Sequence, residues 1–274
     1  MIKLIALCAG VSGALAAGLP APLAAEPRAI TVQSTTSTQN SGLFDGILPQ
    51  FTQETGIPVR VVAVGTGQAI RNAANGDGDV LLVHAKPDEE AFVEAGFGLE
   101  RRDVMYNDFV LVGPGDDSAG VRAAVDAPAA LQAIAQAGAP FASRGDDSGT
   151  HKAERALWAA AGEEPGRAAQ AWYRETGQGM GATLNIAAGM EAYALTDRAT
   201  WIAFGNKGPL EIVFEGDPAL FNQYGVILVN PERHPFVHAE EGQAFIDWLT
   251  GPRGQAAIAA FRANGEQVFF PNAG

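Results

Sequence analysis

Nine residues, Ser143-Arg144-Gly145-Asp146-Asp147-Ser148-Gly149-Thr150-His151, combine one permanent cation, three hydroxyls, two glycines and the start of a predicted helix. Backbone N–H groups at a helix N-terminus point outward unpaired, and the helix dipole favours negative charge there. The guanidinium of Arg144 supplies forked donors to the same oxyanion. Gly149 removes a side chain where a ligand needs close access to the backbone. The run therefore reads as half of a binding site for a small tetrahedral anion, with Arg144, Ser148, Gly149 and Thr150 as its donors. A plainer reading is a capped helix, with Asp147 or Ser148 as the N-cap and Arg144 on the surface. The Arg-Gly-Asp triplet inside the run carries too little information to indicate an adhesion motif.

Further hydroxyls are placed to supply the opposing half. Thr36 and Ser37 lie just past the end of a predicted strand, and Thr66 stands between two glycines at the end of the next. Each alone is an ordinary turn or cap residue; their repetition at equivalent strand ends carries the argument. Gly179-Met180-Gly181 is another glycine-rich helix entrance that offers amide donors without charge. Catalytic readings are poorer. Ser148 and His151 invite a nucleophile–base pair, yet no Gly-x-Ser-x-Gly elbow surrounds the serine. His234 and His238 have the spacing of metal ligands on one helix face, but Pro235 breaks that helix. No catalytic residue, metal site or cofactor is expected.

The elements that position these groups follow from hydrophobic periodicity. A strand at 29–34 leads through a hydroxyl-rich turn to a helix at 42–54, where Pro49 predicts a kink. Gly56 ends that helix. The valine-rich run 59–64 has the composition of a largely buried parallel strand. Helices at 67–74 and 87–95 alternate with a strand at 79–84, and this βαβαβα order predicts a parallel sheet with helices on both faces. After a strand at 105–113, helices are expected at 126–137, 148–162 and 166–175, with a strand at 140–143. A helix opening at Gly177–Gly181 is expected to run to Ala188. Residues 193–196 and 201–204 bracket Asp197, 225–229 form a strand, and two amphipathic helices carry Phe245, Trp248, Leu249, Ile258 and Phe261. The middle of the chain contains no simple linker, which favours two lobes joined by two strands, near 105–113 and 224–229. A ligand then sits between the lobes, where strand ends and helix starts converge.

The chain has 274 residues and a formal net charge of −13. Lys3 is the only charge before Glu26, an apolar run follows it, and small residues and prolines follow that. This is the pattern of a secretory leader over residues 1–25, with cleavage after Ala16 or Ala25. Cys8, the only cysteine, lies within it, so the mature chain lacks thiol chemistry and disulfides. Loss of Lys3 takes the net charge to −14, which excludes a nucleic-acid partner of the usual basic kind. That charge does not exclude an anion pocket, because its field is screened beyond about 8 Å at physiological salt.

These features together resemble a known family. Ser34-Thr35-Thr36-Ser37-Thr38-Gln39, Val64-Gly65-Thr66-Gly67-Gln68-Ala69, Asp79-Val80-Leu81-Leu82-Val83-His84, the segment from Arg101 to Phe109, the 143–151 run and the stretch from Trp172-Tyr173 to Gly181 are similar to the tungstate-binding periplasmic proteins of ABC transporters, within the class II solute-binding fold. Where that family usually reads Thr-Thr-Thr-Ser, this chain has Ser34 in the first position, which preserves a hydroxyl. The resemblance implies an α/β protein of two lobes, each a mainly parallel sheet flanked by helices, with two hinge strands. The first lobe is expected at 26–107 and again at 226–274, and the second at 108–225. It implies a dianion held by Thr36, Ser37, Thr66, Arg144, Ser148, Gly149 and Thr150, delivery to an ABC permease in the inner membrane, a periplasmic location and a monomer. Molybdate, phosphate and sulfate are alternative ligands, and a serine hydrolase using Ser148 and His151 is the alternative of a different class. Phosphate-binding relatives place an aspartate to accept the proton of hydrogen phosphate, and Asp79 is the candidate for that position. Tungstate carries no proton at neutral pH, so Asp79 is then expected to point away or to pair with another group.

Overall fold

Residues 30–94 fold as the predicted alternation of strand and helix, in a computed structural model that describes residues 28–165 and 171–274. The secretory-leader reading lies outside the described residues. The first elements are β1 (Ile30–Thr35), α1 (Thr36–Asn40), α2 (Leu43–Thr55), β2 (Val59–Val64), α3 (Thr66–Ala74), β3 (Val80–Val83) and α4 (Lys86–Glu94). Strand β1 pairs in parallel with β2 on one side and β3 on the other. Pro49 lies inside α2 without ending it, and Gly56 closes the helix in the left-handed region at φ 75°.

The long strand β4 (Gly98–Pro114) links the two halves of the molecule. Beyond it come α5 (Ala127–Ala137), β5 (Phe141–Ser143), α6 (Gly149–Ala160), β6 (Tyr173–Glu175), α7 (Met180–Met190), β7 (Ala194–Asp197), α8 (Arg198–Ala203) and β8 (Leu210–Phe214). The chain returns through β9 (Phe221–Val229) and ends in α9 (Ala239–Thr250), α10 (Pro252–Ala260) and β10 (Phe270–Pro271). The first half of β4 pairs with β9, from Gly98 to Asp108. From Phe109 onward β4 pairs instead with β7 and β8. One strand thus enters the sheets of both lobes, while β9 lies antiparallel between β4 and β3 in the order β10-β4-β9-β3-β1-β2.

Period-two alternation on these strands builds a core on each face of each sheet. Val80 and Leu82 of β3 pack with Ile30, Phe51, Phe245 and Leu249, whereas Leu81 and Val83 face Ala69, Phe92 and Ile227. In the second lobe Phe109 and Leu111 join Leu131, Phe141 and Trp158, while Val110 and Val112 face Met180, Leu184 and Trp201. Ala199 and Ile202 of α8 pack into the core of the first lobe.

Four details differ from the sequence reading. Among the described residues strand β2 has β1 as its sole neighbour in the sheet and is half-buried along most of its length, because it forms the sheet edge. The hydroxyl-rich turn is the short helix α1, whose first turn is capped by Thr35 Oγ1 accepting from the Thr38 amide at 3.2 Å. Tyr173–Glu175 is a strand parallel to β5, not the end of a helix, and the earlier part of that expected helix lies outside the described residues. Strands β8 and β10 are not among the elements expected from the sequence.

Candidate anion-binding site

Each helix that faces the cleft starts where a strand or loop delivers a small or hydroxyl-bearing residue. Thr35 caps α1, Gly65 precedes α3, Ser148 caps α6, Gly179 precedes α7 and Asp197 caps α8. The glycines preceding α3 and α7 provide no side-chain cap, which leaves the first-turn amides to find other acceptors.

The starts of α3 and α6 meet across the cleft. The Gly149 amide donates to Thr66 Oγ1 at 2.7 Å, and the Gly67 amide donates to the Asp147 carbonyl at 3.2 Å. The contact is close: a Cβ on Gly149 would stand 2.8 Å from His84 Cε1 and 3.1 Å from Thr66 Oγ1. Asp147 holds φ 58°, and its carboxylate lies 3.5 Å from Arg71 on α3 and 3.5 Å from Lys152 on α6. Lys152 also reaches Asp88 on α4 at 2.7 Å.

The other expected residues surround this contact. Ser37 is buried, with Oγ 3.1 Å from His84 Nε2. Thr36 lies beside Gly179, where a Cβ would stand 3.7 Å from Thr36 Oγ1. Arg144 is only 1% exposed; its Nε donates to the Gln178 carbonyl at 2.8 Å, one Nη pairs with Asp146, and the other Nη has no partner. Thr150 Oγ1 is likewise buried and unpartnered. Ser148 Oγ accepts from the His151 amide at 3.2 Å, and the Gly149 amide is committed to Thr66, so these two act on the second lobe's own helix start and on the interlobe contact. Asp79 is remote in function from this cluster: its carboxylate accepts from the Thr31 amide at 2.6 Å and the His238 amide at 2.7 Å.

Three titratable groups respond to this setting. Burial lowers His84 to about 4, the Asn222 hydrogen bond opposes that shift, and the nearby Arg144 charge adds to it. Burial raises the Asp197 carboxyl, while the Thr200 amide and Arg144 pull it back down. His151 is lowered by burial, and its Nδ1 accepts from the Asp147 amide at 3.2 Å instead of engaging Ser148 Oγ. Arg144 thus brings positive charge to a site whose carboxylate neighbours already answer it. Further attraction for an anion must come from hydroxyls and helix starts. Among the described residues, no group of three or more His, Cys, Asp or Glu could hold a metal ion.

Sequence reasoning missed His84, Asn222, Asn107 and Asp197. His84 stands directly after β3, and its Nδ1 meets Asn222 Oδ1 of β9 at 3.0 Å. A groove of about 1060 Å³ opens between the lobes beside His84 and Gly149, with Lys152, Phe109 and Phe221 among its walls.

Two α/β lobes joined by β4 and β9, with helix starts from both facing one cleft, define a solute-binding protein. A family model described as a PBP superfamily domain matches residues 22–253. The tungstate-binding protein TupA of Peptoclostridium acidaminophilum is 47% identical over 248 residues, which cover 89% of this chain and 86% of that relative. The solved structure of the tungstate-binding protein TupA from Desulfovibrio alaskensis G20 matches with a TM-score of 0.77 at 47% identity, over 90% of this chain and all of that one. The structure of the tungstate ABC transporter protein from Geobacter sulfurreducens matches with a TM-score of 0.78 at 47% identity, over 85% of this chain and 98% of that one. The chain belongs to the PBP superfamily and, within it, to the family of these TupA proteins.

Proposed function

We propose that this protein captures tungstate between its lobes and delivers it to the permease of an ABC importer. The observation that carries this reading is the buried Arg144 with an unpartnered Nη, together with the unpartnered Thr150 Oγ1 next to Gly149, whose amide meets Thr66 across the lobes. Similarity to tungstate-binding relatives over most of both chains supports the choice of anion. In this reading Thr36, Ser37 and Thr66 serve from the first lobe. Arg144 and Thr150 serve from the second as donors, while Ser148 and Gly149 contribute by shaping the start of α6 and its contact with Thr66.

The ligand is a proton-free dianion. Asp79, the candidate acceptor for a phosphate proton, is occupied by two backbone amides away from these residues. A neutral His84 and an Arg144 already paired with Asp146 leave little net charge to attract a dianion. Binding therefore depends on many fixed donors. A nanomolar complex needs about −12 kcal/mol, and a hydrogen bond to a charged group contributes about 1.5–3 kcal/mol. Neither lobe alone supplies enough such bonds. Tungstate bound to one lobe recruits the donors of the other and shifts the population toward the closed form, which the permease recognises. The protein works as a monomer in the periplasm after leader removal and without catalytic turnover; His151 spends its Nδ1 on a backbone amide, so it is not poised as a base for Ser148.

Thermal melting tests the reading. Tungstate is expected to raise the melting temperature saturably while phosphate at the same concentration does not. A shift with phosphate alone, or turnover of an ester with a covalent adduct at Ser148, would refute it.

A further inference from the structure

We propose that capture of the anion takes up a proton at Glu154, one helical turn behind the anion-facing start of α6. Its carboxyl stays protonated while a dianion fills the cleft. This rests on the tungstate reading above. Glu154 follows Thr150 by four residues, so the two share one face of α6 at an axial separation of about 6 Å. Both are buried, Glu154 at 1% exposure and Thr150 at 0%. Glu154 Oε1 lies 2.8 Å from the Tyr173 hydroxyl, which lies 2.9 Å from Ser143 Oγ. Ser143 leads directly into Arg144, so the carboxyl is tied through Tyr173 to the chain that carries the site's arginine.

These neighbours admit both charge states of the carboxyl. Tyr173 has one hydroxyl proton and two oxygens beside it. It donates to an ionised Glu154, or accepts from a protonated one and donates to Ser143, with no heavy atom displaced. Burial raises the carboxyl to about 7, against the pull of Tyr173, Ser143 and the Arg144 amide. Helix α5, which packs on α6, carries no ionisable side chain. The other elements around Glu154 bring Arg144 and Asp146 after β5, Tyr173 and Glu175 on β6, Asp197 at the end of β7 and His151 on α6 itself. Burial lowers His151 and pushes Tyr173 up, which leaves Glu154 as the member of this cluster set to titrate near neutrality.

Two negative charges placed at the start of α6 disfavour a third at Glu154, so a bound dianion raises the carboxyl further. The converse holds with the same magnitude: an ionised Glu154 weakens the hold on the anion. One tungstate and up to one proton enter the site, and nothing leaves. Affinity for tungstate therefore falls as the pH rises through 7 and above.

The experiment is calorimetric titration of the full mature chain with sodium tungstate at pH 6.5, 7.5 and 8.5, each in two buffers of different ionisation enthalpy. For a carboxyl raised by a further one to two pH units on binding, affinity is expected to weaken roughly 5- to 20-fold from pH 6.5 to 8.5, with roughly 0.5–0.7 proton taken up at pH 7.5. Glu154→Gln is expected to bind with one affinity across the range and no uptake. A merely structural role for Glu154 would leave the heat independent of buffer. Buffer-independent heat in the parent chain, or uptake retained in Glu154→Gln, overturns the inference. If Glu154→Gln does not fold, carbon-13 NMR of the glutamate carboxyls takes its place. Glu89 is also raised to about 7, so the measurement is made in Glu89→Gln. The remaining midpoint near 7 must move upward with tungstate, and an unmoved midpoint overturns the inference. Absence of tungstate heat in both buffers at every pH refutes the ligand reading, whereas heat without proton uptake refutes the inference alone.

Discussion

The amide of Gly149, at the start of α6, donates to the hydroxyl oxygen of Thr66, at the start of α3, across a 2.7 Å gap between the lobes. In the proposed open form neither residue would have this partner. The bond therefore stabilises closure without contributing to either lobe's own core.

Thr66→Val keeps the shape and removes the acceptor. In the closed form the Gly149 N–H is then buried and unpaired, a cost of about 1–3 kcal/mol. Tungstate affinity by calorimetry is expected to fall by roughly 5- to 150-fold, with the thermal stability of the ligand-free protein little changed.

Gly149→Ala acts by shape. Its Cβ would stand 2.8 Å from His84 Cε1 and 3.1 Å from Thr66 Oγ1. Ala suits the start of α6, so the lobes should fold while their closure is blocked. Small-angle scattering with saturating tungstate should show no compaction in this variant and clear compaction in the parent chain.

The Lys152–Asp88 pair bridges the lobes at 2.7 Å, but both groups are about one-third exposed. Such a pair contributes about 0.2–1 kcal/mol. Asp88→Asn should weaken tungstate binding by less than about tenfold, and the difference should vanish in molar salt, where screening is nearly complete.

Glu154 ties the pH dependence of stability to the second lobe. Burial raises its carboxyl from 4.5 to about 7, opposed by hydrogen bonds from Tyr173 and Ser143. The folded state thus holds this proton more tightly than the unfolded chain does. The resulting stability is fully present below pH 4.5 and is lost as the pH rises through 7, an effect on the order of 3 kcal/mol. Glu154→Gln retains the oxygen that accepts from the Tyr173 hydroxyl. Denaturant unfolding at pH 4.5 and pH 8 should show this loss in the parent chain and a flatter profile in the variant.

The sequence made local elements legible and long-range partners obscure. The apolar run 59–64 has the bounds of β2, because β-branched residues and a following Gly-Thr-Gly mark both character and end. Its edge position was not legible, since composition does not reveal whether a second neighbour exists. The strand–helix junctions carrying Thr66 and Ser148 could be read from caps and glycines, but their meeting depends on how two lobes close. His84 illustrates the limit most clearly. Its strand was evident, whereas its partner Asn222 lies 138 residues away on a strand whose first residues lack a regular apolar pattern.

Competition calorimetry of the mature protein with tungstate, in excess sulfate and phosphate, tests the central claim most directly. A single tight site for tungstate is expected, unchanged by either competitor and weakened roughly 10- to 150-fold in Arg144→Ala, since that change removes the unpartnered charge-assisted donor. Tungstate heat abolished by phosphate, or an Arg144→Ala titration indistinguishable from that of the parent chain, would contradict it.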